Sequence, residues 1–106
     1  MMSREEIEAM LDRTEIPYRY FLFEEKEAVE PPFLVWYLPD TDNFSADGQV
    51  YYQIDSLNLE LYTDQKDFDL EERVERILDE QGIYWDKTEA YLEEEQMYEA
   101  LYEMEV

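Results

Sequence analysis

The stretch from Val50 to Gly82, VYYQIDSLNLELYTDQKDFDLEERVERILDEQG, constrains the fold most, because it reads as a strand, a short polar loop and a capped helix in direct succession. Asn58, Leu59, Glu60, Leu61 and Tyr62 alternate polar and apolar side chains, the period-two signature of a strand with one buried face. Asp69 is the expected N-cap of the helix, with Glu72 three residues on as reciprocal partner and Phe68 as hydrophobic staple. Gly82 is the expected left-handed C-cap. Between these marks Leu70, Val74, Ile77 and Leu78 share one helical face, while Glu71, Glu72, Glu75 and Arg76 lie largely off it. Such a helix covers a sheet.

The rest of the chain is placed by packing onto this unit. Ser3 and Glu6 form a capping box ahead of Ile7, Met10 and Leu11, which predicts a short helix over residues 3–13. Pro17 ends it, and Tyr18 to Phe23 (YRYFLF), apolar on both faces, reads as a buried strand. The charged, proline-terminated segment Glu24–Pro32 is a loop into a second strand, Phe33–Leu38. Pro39–Gln49 has turn composition throughout, with Asp47-Gly48 as its sharpest hairpin signal, so the second and third strands should be antiparallel. After Gly82 come two more strands, IYWDKTEAYL and QMYEALYEMEV. In the last of these Tyr98, Ala100, Tyr102, Met104 and Val106 share a face, although Leu92–Gln96 are good helix formers and Met97, Tyr98, Leu101 and Tyr102 also fit helical spacing. The expectation is one α+β domain over residues 1–106, a two-layer sandwich of two helices on a mostly antiparallel sheet, in the order α-β-β-β-α-β-β.

The third strand changes phase. Val50, Tyr52 and Ile54 carry its apolar groups on even positions, whereas Leu57, Leu59 and Leu61 carry them on odd ones, with the switch near Asp55-Ser56. A bulge there would return all six to one core face. Without one, the outer half of a hairpin arm around residues 33–56 turns its apolar groups away from the core, towards another chain. We take the second reading, which makes Val50, Tyr52 and Ile54 the candidate subunit contacts.

Composition narrows the function. The formal charge is −22, yet 45% of residues are hydrophobic and 16% aromatic, too apolar for a disordered acidic tail. So negative a surface repels phosphate backbones and anionic membranes, which points to protein partners and away from sequence-specific nucleic-acid or membrane binding. The opening MMSREEIEAM lacks the basic and apolar regions of a signal peptide, and no run approaches the roughly 20 apolar residues of a membrane span. A soluble, cytoplasmic protein is expected.

Nothing marks an enzyme. With no His, no Cys and three serines (Ser3, Ser45, Ser56), the chain offers no ordinary nucleophile-base constellation. Its two glycines, Gly48 and Gly82, make no phosphate-cradling loop, and no cofactor is expected. Asp40, Asp42, Asn43, Ser45 and Asp47 bring hard oxygen donors together, but the spacing fails the EF-hand pattern. Phe44 falls at the fifth ligand position and Tyr51 where the bidentate Glu belongs, so a turn built on Asx residues is the expectation, not a metal site. Tyr51, Tyr52, Tyr98 and Tyr102 suit a protein contact or half-buried sheet positions.

The segment NLELYTDQKDFDLEERVERILDEQGIYWDK, followed by a strand ending YEALYEMEV, resembles the small tail-completion proteins of long-tailed bacteriophages and prophages, also described as tail-terminator or tail-to-head joining proteins. The resemblance covers the second half well and the first half by element order. It implies a non-enzymatic role in the virion, and in the bacterial cytoplasm during assembly. There a homo-oligomeric ring, usually a hexamer, caps the tail tube and presents a surface to the head connector. Head-to-tail contacts close rings, and a protruding arm reaches a neighbour. The alternative reading of the charge is an acidic DNA mimic that occupies the basic cleft of a host DNA-binding protein.

Overall fold

The computed structural model describes residues 2–23, 29–46 and 49–106, and for residues 42–46 and 49–53 the backbone alone. Its elements are α1 (Arg4–Asp12), β1 (Tyr18–Tyr20), β2 (Phe33–Tyr37), β3 (Thr41–Ala46), β4 (Gln49–Thr63), α2 (Phe68–Glu80), β5 (Trp85–Leu92) and β6 (Met97–Glu105). The main sheet runs β1-β2-β4-β6-β5, with β3 paired to β4 off this path. All neighbours are antiparallel except β1 and β2. Two helices on a mostly antiparallel sheet make the fold α+β, and the main sheet follows the expected order. The last segment is a strand. Within Pro39–Gln49, read as turn throughout, residues 41–46 form the additional strand β3, because each can exchange backbone hydrogen bonds with the long strand opposite.

The core lies between the helices and one face of the sheet. Ile7, Met10 and Leu11 of α1 and Val74, Ile77 and Leu78 of α2 pack on Leu34, Trp36, Leu57, Leu59, Leu61, Ala100, Tyr102 and Met104. Burying side chains of this size stabilises the fold by about 1.5–3 kcal/mol each. The last strand keeps its predicted alternation, with Ala100, Tyr102 and Met104 buried and Tyr98 and Val106 half-buried at its ends.

Helix ends follow local chemistry. The Ser3 hydroxyl accepts from the Glu6 amide at 3.1 Å and the Glu6 carboxylate accepts from the Ser3 amide at 3.0 Å, the predicted capping box. Those bonds hold the Glu6 carboxyl below its usual range. The start of α2 differs from expectation. Asp67, not Asp69, is the N-cap, accepting from the Leu70 amide at 3.0 Å, and Phe68 is the first helical residue, largely exposed. Both aspartates stand before the apolar run, and the earlier one gains two further helical residues, Phe68 and Asp69. Gly82 has φ of +72°, the left-handed conformation expected of it.

Two further expectations are corrected. Tyr18–Phe23 is not a buried strand: only Tyr18–Tyr20 joins the sheet, as an edge strand with one neighbour, and Tyr20, Phe21 and Leu22 are exposed. At Phe21 the backbone turns to φ +70° and leaves the sheet. Glu71, expected off the apolar face of α2, is only 3% exposed. Its two oxygens meet Lys66 at 2.6 Å and Lys87 at 3.1 Å, and Lys87 also reaches Glu75 at 2.7 Å. The Tyr102 hydroxyl donates to Glu75 at 2.7 Å. Burial lowers both lysines, but hydrogen bonds to their carboxylates outweigh it and hold them above their usual value, while burial and Glu75 push the Tyr102 phenol up. Every charge in this buried group therefore has a partner, which is the condition for burying it.

Candidate assembly surface

The strand β4 is shared by two regions. From Asp55 to Thr63 the odd residues are buried under the helices, and its ladder with β6 keeps one register from Thr63↔Tyr98 to Ser56↔Glu105, closed by mutual bonds between Asp55 and Val106 at 3.2 and 2.9 Å. No bulge interrupts β4 at Asp55-Ser56. The extra residue lies instead in the partner chain. Tyr37 pairs with Asn58 and Thr41 with Asp55, so three residues, Leu38, Pro39 and Asp40, stand against Ser56 and Leu57. Pro39 brings no amide donor, which suits a point where the ladder is broken.

This junction is fixed by polar groups. The Thr41 hydroxyl donates to the buried Asp55 carboxylate at 2.6 Å, the Ser56 hydroxyl to the Asp40 carboxylate at 2.8 Å, and the Ser56 amide to the Asp40 carbonyl at 3.0 Å. The sequence signal for it was the phase change itself, with Asp55 standing where the apolar run of odd positions ends.

Beyond the junction, β3 and residues 49–54 of β4 form a two-stranded arm. The registers Asp42↔Ile54, Asn43↔Gln53 and Phe44↔Tyr52 are followed by a shift to Ser45↔Val50, leaving Tyr51 as the bulged residue. Of the three candidate contacts, Ile54 is half-buried and in phase with the even positions, opposite Leu57, Leu59 and Leu61. Val50 and Tyr52 lie on the arm at the registers given, and their side chains fall outside the described residues. The bulge at Tyr51 breaks the period-two count between Tyr52 and Val50. The chain measures 51 × 29 × 23 Å with a radius of gyration of 15.1 Å, against about 13 Å for a compact domain of this length.

A second surface flanks the root of the arm. On the sheet face away from the helices, β2 presents Phe33, Val35 and Tyr37 in register with Tyr62, Glu60 and Asn58. Phe33 stacks on Tyr62 at 5.0 Å between centroids, Phe23 meets Phe33 at 5.2 Å, and Phe21 meets Tyr37 at 5.6 Å. Sequence reasoning missed this surface because it placed the Tyr18–Phe23 aromatics in the core. Further along the same face the groups become acidic. Burial and the nearby Glu60 raise the Glu99 carboxyl, and burial and Glu60 raise the Tyr62 phenol, whose hydroxyl donates to Glu60 at 3.0 Å.

Among the described residues, a concavity of about 1010 Å³ lies near the junction and is lined by Glu6, Asp40, Asp86, Glu103 and Glu105 among others, with no basic side chain in that lining. Such a lining disfavours anionic ligands. Beside Glu71 the packing leaves no room for a water-sized molecule. Comparison with protein-family models and with curated proteins gives no match. The arm and the aromatic edge therefore have to be read from their own chemistry.

Proposed function

We propose that this chain is a non-enzymatic assembly protein that forms a closed homo-oligomeric ring through its arm. The observation that carries the reading is the arm itself, a two-stranded extension of β4 past the last residue paired with β6. A two-stranded ribbon is marginal alone in water, and a neighbouring subunit supplies what the ribbon lacks. In the setting that the sequence resembles, the ring caps the phage tail tube and offers a docking face to the head connector.

Replacing Tyr52 and Ile54 together by Asp tests the reading. Light scattering should fall from a mass of several subunits to the 13.0 kDa monomer, which should still unfold cooperatively, with only the stabilisation due to assembly lost. Loss of folding would assign the pair to the core. A monomeric wild type that binds a DNA-binding enzyme tightly, with affinity collapsing in salt, would replace assembly by mimicry.

A further inference from the structure

Resting on the assembly reading, we propose that Asp55, through Thr41, is the positioning residue that sets the register of the arm and thereby the surface it offers to a neighbouring copy. Asp55 stands where β4 passes from the body of the molecule into the arm, and it is joined to both. Its backbone amide and carbonyl bond to Val106, at 3.2 and 2.9 Å. Towards Thr41, on the other side of the strand, it therefore forms a non-hydrogen-bonded pair, the type in which facing side chains come closest. Side chains make the link across this pair, the Thr41 hydroxyl donating to the Asp55 carboxylate at 2.6 Å. One residue on the roles reverse, and the Ser56 hydroxyl donates to the Asp40 carboxylate at 2.8 Å.

The residue type at this position is informative. Asp55 is in phase with Leu57, Leu59 and Leu61 and only 5% exposed, so an apolar side chain there would simply lengthen the core run. Burying a carboxylate instead is costly unless it is hydrogen-bonded. What it adds over a leucine is alignment, because it is satisfied only when a donor stands opposite, and fixing register is the best-attested use of a buried polar group.

The arm needs such a pin. A strand's register is set by the apolar pattern of a buried face and is weakly set where that pattern is missing. Thr41–Ala46, TDNFSA, has Phe44 as its one large apolar residue, and its pairing with β4 shifts between Phe44 and Ser45. A slip by one residue would put Asp40 or Asp42 opposite Asp55, like charge against like. A slip by two would put there either Pro39, which has no side-chain donor, or Asn43, which would crowd two more residues into the bulge at Leu38, Pro39 and Asp40. The observed register is the one that gives Asp55 a hydroxyl without either penalty.

Two substitutions at Thr41 test this, since Thr41→Val keeps the shape without the donor and Thr41→Ser keeps the donor. Thr41→Val should stay folded, with hydrogen exchange across residues 57–63 unchanged. Exchange across residues 49–54 should quicken by about tenfold, the equivalent of one hydrogen bond, because slipping requires the ladder to open. The same variant should need a higher protein concentration to assemble, and Thr41→Ser should restore both properties. Exchange across 49–54 as slow in Thr41→Val as in the wild type overturns the pin, whatever the mass of the variant. Quickened exchange with assembly unchanged overturns the link from register to contact. A wild type that is monomeric at every concentration overturns the assembly reading instead, and exchange in the two variants still decides whether Asp55 holds the register. Should Thr41→Val unfold, Ser56→Ala replaces it, with a smaller quickening expected and an unchanged arm counting against the proposal.

Discussion

The inner and outer halves of β4 belong to one continuous strand but to two kinds of structure. From Asp55 to Thr63 the strand lies between β2 and β6, with helices over one face and its odd residues buried. From Gln49 to Ile54 it has β3 as its described partner. Charge divides the same way. Around the inner half one buried group of carboxylates is matched locally, Glu71 and Glu75 by Lys66 and Lys87, while Glu80 pairs with Arg13 and Glu8 with Arg4 on the helix surfaces. The outer half omits charge. A chain this acidic can build a core by pairing its few cations there, and can build a contact only where it leaves carboxylates out.

The largest effect should come from breaking the matched group. Glu71→Ala removes the carboxylate shared by Lys66 and Lys87 and should destabilise the monomer by about 2–3 kcal/mol in denaturant unfolding, since both cations stay partly buried. The Tyr52 and Ile54 substitutions on the arm should cost only the stabilisation that assembly supplies and leave the unfolding of the monomer itself intact. A smaller effect tests the helix start. Asp67→Ala should lower stability by about 1 kcal/mol, and Asp69→Ala by a few tenths, because only the former side chain accepts from an orphan amide. Equal losses would return the cap to Asp69.

The smallest effect concerns the face without helices. Glu99 has a raised folded-state value, so its charged form is disfavoured by folding. Relative to full ionisation, its favourable contribution is present below the unfolded carboxylate value and is lost as pH rises through the folded one. Glu99→Gln should therefore stabilise the protein near neutral pH by less than about 1 kcal/mol, reduced by solvent screening. The gain should vanish in acid, where wild-type Glu99 is neutral in both states. A gain independent of pH would mean that charge is not its cause.

Much of the inner half was legible in the sequence. The capping box at Ser3, the alternation through Leu57, Leu59 and Leu61, the glycine at Gly82 and the odd-even pattern from Tyr98 to Met104 are local signals, and the fold agrees with them. Where an outcome depends on neighbours, the sequence misled. Tyr18–Phe23 has a core composition, but the sheet ends at β1, so the same aromatics line an edge. Glu71 looks solvent-facing until Lys66 and Lys87, distant in sequence, meet it. Residues 41–46, lying between Asp40 and Asp47, look like a turn until β4 proves long enough to pair with them. The phase change in β4 was visible, and the extra residue proved to lie opposite it, between Tyr37 and Thr41.

The most direct measurement is the solution mass of the wild-type chain, by size exclusion with light scattering from low to moderate sodium chloride. Assembly through low-charge surfaces on an otherwise repulsive molecule predicts a species of several subunits whose share grows as salt screens the remaining carboxylates. A 13.0 kDa monomer at every salt and protein concentration would contradict self-assembly through the arm.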